Sequence, residues 1–122
     1  MPKTIMIVDD SASMRNMLST TLKSAGYEVF EGCDGVDAIS KLTGQKVHLI
    51  VTDLNMPNMD GLTFLTEVKK LPAYKFTPII MLTTEISEAK KEKAKEAGAK
   101  AWVVKPFQPE QLLNAVSKLV TP

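Results

Sequence analysis

Five short apolar runs, each followed by a stretch with helical spacing, constrain this chain more than any other feature. The runs are TIMIV (4–8), YEVFE (27–31), VHLIVT (47–52), PIIMLT (78–83) and AWVVK (101–105). Four are nearly continuous in apolar residues, as strands covered on both faces are. The second carries Glu28 and Glu31 around Val29 and Phe30, the pattern of an edge strand. Met14, Met17, Leu18, Leu22 and Ala25 form one helical stripe, stopped by Gly26. Val36, Ala38, Ile39 and Leu42 form a second, closed by Gly44, and Leu62, Leu65, Val68 and Leu71 a third, before Pro72. SEAKKEKAKEAG (87–98) reads as a fourth helix with Ser87 as N-cap and Gly98 as stop, its alternating lysines and glutamates a solvated face. Pro109 opens a fifth, with Leu112, Leu113, Val116, Leu119 and Val120 as its stripe. Strict strand–helix alternation predicts a doubly wound α/β fold, a (βα)5 chain whose parallel sheet has helices on both faces. Right-handed crossovers leave few windings to choose from.

At 122 residues the chain makes a single domain, 1–122, with no linker or internal repeat. A net charge of +1 offers no electrostatic case for nucleic acid. No apolar stretch approaches the roughly 20 residues that span a bilayer, and the acidic pair Asp9-Asp10 comes too soon for a signal peptide. One cysteine, Cys33, excludes an internal disulfide and fits a reducing compartment, so the cytoplasm is expected.

In open parallel sheets ligands bind beyond the carboxyl ends of the strands. The first run ends in Asp9-Asp10, the third in Asp53 with Asn55 two residues on, the fourth in Thr83-Thr84-Glu85, the fifth in Lys105-Pro106-Phe107. The second offers only Glu31, Gly32 and Cys33. Each has an ordinary explanation: Asp9-Asp10 capping a helix, Thr83 and Thr84 bonding nearby backbone, Lys105 snorkelling, and NMDG making a turn into the third helix, the reading kept for Asp60-Gly61. Four such coincidences at one sheet edge are less probable than one site. Converging aspartates repel and raise one another's proton affinity unless a cation intervenes. Oxygen-only donors favour magnesium over zinc, and the single histidine, His48, falls inside the third strand as a packed side chain. Three acids, a threonine hydroxyl and a lysine suit a phosphoryl group, with one carboxylate as nucleophile.

The motifs IVDDS, TDLNMPNMDG, LTT and VVKPF, in that order, resemble those of response-regulator receiver domains of two-component systems, and the likeness spans essentially the whole chain. The resemblance implies strand order 2-1-3-4-5, with Asp53 phosphorylated. It implies that Asp10 and Asp53 contact Mg2+ directly, Asp9 through water and Asn55 through its backbone carbonyl. Thr83 would bond a phosphoryl oxygen and Lys105 would pair with its charge, the Lys105-Pro106 bond being cis. On this likeness catalysis would rest with Asp53, Thr83 and Lys105. The implied switch pairs Thr83 with Trp102, where the family more often has tyrosine or phenylalanine.

Implied partners are a histidine kinase, a phosphatase, and an output protein bound on the face of helix four, strand five and helix five. With 122 residues forming one receiver, no output domain is expected, and the expectation is a stand-alone monomer that works by binding. Among such receivers, DDSASMRNML, VVKPFQPEQL, Asn55 and Glu85 look most like chemotaxis regulators acting on the flagellar motor switch. The alternatives are a phosphorelay intermediate or phosphate sink, a receiver that works unphosphorylated, and a flavodoxin-like ligand binder. The last lacks a glycine-rich phosphate loop after the first strand.

Overall fold

A computed structural model describes residues 3–42, 44–84 and 87–120. Its elements alternate as the periodicity predicts: β1 (Thr4–Val8), α1 (Ala12–Ser24), β2 (Glu28–Gly32), α2 (Gly35–Lys41), β3 (Leu49–Asp53), α3 (Gly61–Lys70), β4 (Ile79–Thr83), α4 (Glu88–Ala97), β5 (Ala101–Val104) and α5 (Pro109–Ser117). A 3-10 turn, Pro72–Tyr74, links α3 to β4. The strands form one sheet in the order β2-β1-β3-β4-β5, all pairs parallel. That is the order implied by the resemblance, and β2 is the edge strand its glutamates indicated.

Two apolar layers sandwich the sheet because adjacent strand residues face opposite ways. Met6, Val8, Ile50, Ile79 and Met81 pack with Ala38 of α2, Phe64, Leu65 and Val68 of α3, and Ala94 of α4. Ile5, Ile7, Leu49, Val51, Ile80 and Leu82 pack with Leu18 and Leu22 of α1 and Leu112 and Val116 of α5. Every residue of β3 and β4 is buried. β3 and β4 are therefore covered on both faces along their whole length.

Some boundaries move. The third strand begins at Leu49, so His48 lies one residue before it, half-buried, with Nδ1 accepting the Thr4 amide at 3.0 Å. Its role is to bond backbone at the end of the sheet remote from the aspartates, rather than to pack inside the strand. β5 stops at Val104, one residue short of Lys105, and its residues are half-buried or exposed because it forms the second edge. α5 ends at Ser117. Leu119 and Val120 continue the apolar stripe beyond it, packing on the same face as α1. Among the described residues no helix is long and apolar enough to cross a membrane.

Candidate functional site

The parallel winding brings the carboxyl ends of β1, β3, β4 and β5 side by side. β3 delivers Asp53 as its own last residue rather than after it. Asp9 follows β1 and is 1% exposed; Asp10, next in sequence, faces solvent. Ligand atoms of Asp9, Asp10 and Asp53 all lie within 4.8 Å of one another. Lys105 comes from the far side: its Nζ is 3.2 Å from Asp9 Oδ2 and 3.5 Å from Asp53 Oδ2. The Lys105-Pro106 peptide is cis, as expected. Thr83, the last residue of β4, is fully buried, and its carbonyl accepts the Lys105 amide at 2.8 Å. Asn55 is exposed, two residues past Asp53. Thr84 is exposed as well, and Glu85 lies outside the described residues.

Local hydrogen bonds decide what each acid does. The cap of α1 is Ser11, whose Oγ accepts the Met14 amide at 3.2 Å, so neither aspartate is used for that purpose. Asp9 Oδ1 instead accepts the Ser11 amide at 2.9 Å, which leaves Oδ2 for Lys105. Asp53 Oδ1 accepts the Leu54 amide at 2.8 Å. Asp60 is more than a turn residue, because its side chain caps α3 by accepting the Thr63 amide at 2.8 Å.

Burial and the neighbouring Asp9 charge raise the Asp53 pKa above its ordinary value, against the opposing pull of Lys105 and the Leu54 amide. Desolvation is the largest of these, as expected for a carboxylate sunk at a strand tip. The mutual repulsion read from the sequence is thus present at Asp53. A cation among the three acids would relieve it, and a donor set made only of oxygens suits a hard divalent ion.

One neighbour escaped the sequence reading. Arg15, on the first turns of α1, donates from Nη1 to the Asp9 carbonyl at 2.6 Å and approaches Glu31 of β2 at 3.4 Å. It ties the β1 loop to the edge strand. An arginine in an amphipathic helix carries no local mark of such a contact. Trp102 is half-buried against the core layer that holds Met81, its register partner on β4. It also walls an open cavity of about 540 Å³ lined by Lys91, Lys95, Gly98, Ala99, Lys100 and Ala101.

The chain is thus a doubly wound parallel α/β domain that gathers three carboxylates and a lysine at the carboxyl ends of its strands, where ligands bind in folds of this class. The model of the response regulator receiver domain matches residues 5–117, and the chain belongs to that family. It is 41% identical to the chemotaxis protein CheY1 of Helicobacter pylori over 110 residues, 88% of this chain and 89% of that one. The structure of the Vibrio cholerae chemotaxis protein CheY4 superimposes with a TM-score of 0.94 at 45% identity, covering 98% of this chain and all of that one. The receiver domain of the Pseudomonas aeruginosa sensor histidine kinase PA1611, solved with a magnesium ion in its active-site cleft, gives 0.88 at 25% identity over 98% of both chains.

Proposed function

We propose that this receiver accepts a phosphoryl group on Asp53 from a histidine kinase and, once phosphorylated, signals by binding an output protein in a chemotaxis pathway. The observation that carries the proposal is the setting of Asp53: a buried carboxylate at the tip of a central strand, 3.5 Å from Lys105, sharing one reach with Asp9 and Asp10. In the transfer an Asp53 oxygen attacks the phosphorus of a phosphohistidine. The P–N bond breaks, the imidazole leaves with its electron pair, and an acyl phosphate remains. The Leu54 amide holds one carboxylate oxygen in place, so little reorganisation is needed. Lys105 neutralises the equatorial oxygens, and Thr83 supplies a hydroxyl donor from the adjacent strand. Slow hydrolysis of the acyl phosphate ends the signal.

Asp9, Asp10 and Asp53, with the Asn55 carbonyl, would hold Mg2+; the donors are all oxygens, and those of the three carboxylates lie within 4.8 Å of one another. When bound, the ion offsets the carboxylate repulsion and the phosphoryl charge. The likeness to CheY1 and CheY4 supports the chemotaxis assignment, with the flagellar motor switch as the expected partner and the cytoplasm as the compartment. The face built from α4, β5 and α5 is the output surface on this reading. Trp102 ties it to Thr83, since both side chains lie on the same side of the sheet, two register steps apart.

Incubation with Mg2+ and a small phosphodonor, followed by intact mass, tests the proposal. The native protein should gain one phosphoryl group and Asp53→Asn none. No gain in the native protein, or an equal gain in the variant, rejects Asp53 as the acceptor.

A further inference from the structure

The tip of β2 contributes nothing to the carboxylate cluster, yet the corner it leads into grips the loop after Asp53 at two adjacent points. Asn58 sits in the left-handed region with φ of 69°. Its Nδ2 donates to Asp34 Oδ2 at 2.8 Å. Asp34 is buried, and its other oxygen, Oδ1, accepts the Asp37 amide at 2.8 Å to cap α2. One residue along each chain, Met59 packs so tightly on Gly35 that a Cβ there would lie 2.9 Å from the Met59 side chain. The loop is also fastened at its ends, by the Leu54 amide on Asp53 Oδ1 at 2.8 Å and the Gly61 amide on the Leu54 carbonyl at 2.7 Å. Exposed Asn55 lies between these ties.

We propose that the Asp34–Asn58 hydrogen bond is a positioning brace that sets the loop after Asp53, and Asn55 within it, in the geometry for cation binding and phosphoryl acceptance. This rests on Asp53 being the acceptor. A non-glycine residue in left-handed backbone persists only where its surroundings over-determine it, and asparagine is among the few that enter the region readily. The brace supplies that determination through a carboxylate already fixed by its helix cap. Burial of Gly35 beneath Met59 closes the corner and keeps the pair in register. The edge strand thereby acquires a task that its own tip residues do not show. Without the brace the loop stays tied at both ends, but its middle, where Asn55 must present its carbonyl, keeps only the Met59 packing on Gly35 to hold it to α2. Misplacement of that size is enough to slow a reaction that depends on alignment.

Three variants test the brace. Asn58→Gly keeps the left-handed backbone and deletes the amide; Asn58→Asp sets two carboxylates against each other. Asp34→Asn/Asn58→Asp restores the bond with donor and acceptor exchanged, and asparagine retains the helix cap. Phosphoryl uptake at saturating Mg2+, Mg2+ affinity by calorimetry, and hydrogen exchange of the metal-free protein are the readouts. Both single variants should lose roughly 10- to 100-fold in uptake rate or Mg2+ affinity, with faster exchange confined to residues 55–59. The double variant should return to within about threefold of native. Native rates, affinity and exchange in Asn58→Gly, or a double variant as impaired as Asn58→Asp, overturn the brace while leaving Asp53 as acceptor. A native protein that takes up no phosphoryl group overturns the acceptor assignment, and the brace with it.

Discussion

Asp53 is held in a state the isolated amino acid would avoid. Its pKa is raised, chiefly by burial and then by Asp9, so the folded protein binds this proton more tightly than the unfolded chain does. The linkage sign follows: the ionised carboxylate weakens the fold at neutral pH, and that penalty is relieved as pH falls through the folded pKa toward the ordinary value of 3.8. In chelator-treated protein, Asp53→Asn should melt above native at neutral pH, at about 4 °C per kcal/mol for a domain of this size. The gap should close as pH falls toward 3.8, the comparison cancelling carboxylates of opposite sign such as Asp34 and Asp37, whose pKa values are lowered. A gap that is absent at neutral pH, or that widens on acidification, contradicts the assignment of Asp53 as the strained group. Magnesium should raise the native melting temperature and do so less in the variant, because a ligand of the folded state stabilises in proportion to its binding.

At the scale of elements, the junction of β3 and α3 leaves the least room for a side chain of any described glycine position. Gly61 opens α3 against the end of β3: a Cβ there would collide with the Asp53 carbonyl and lie 2.8 Å from the Leu54 Cα. Neither partner can yield without moving the backbone of Asp53. Gly61→Ala should therefore cost about 2–3 kcal/mol in urea denaturation and slow phosphoryl uptake in the same protein. Loss of neither would show that the junction has slack. Much of this level was legible beforehand. Ser87 and Gly98 bound α4 as read, Gly98 with φ of 116° and Ser87 accepting the Lys90 amide. What the sequence left open or misplaced was contact-dependent. Asp9-Asp10 and Ser11 are equally good caps by type, and only the coordinates assign the cap to Ser11 and turn Asp9 toward Lys105. His48 was placed in a strand because its neighbours are apolar, whereas the ladder begins one residue later.

Across the whole molecule, the proposed signalling requires a chemical event at one sheet edge to alter a surface elsewhere. Trp102, the only tryptophan, is the natural reporter, packed between the core layer under α4 and the lysine-lined cavity beside it. Its emission should change when a phosphoryl mimic and Mg2+ are added, and Asp53→Asn should abolish the change. An unaltered spectrum in protein shown by mass to be phosphorylated would remove Trp102 from the switch and leave the acceptor chemistry intact. The sequence by itself determined the alternation of strands and helices, the more polar edge strand, and the kinds of group at each strand tip. These are properties of short stretches, written in periodicity and in the residue that ends each run. Only the tertiary structure decided that Asp9, Asp10, Asp53 and Lys105 share one cluster of distances, that Arg15 grips the Asp9 carbonyl, and that Asn58 reaches Asp34. Those pairings join residues on different elements. Their geometry is set by how the two layers pack across the sheet, a quantity no single stretch contains.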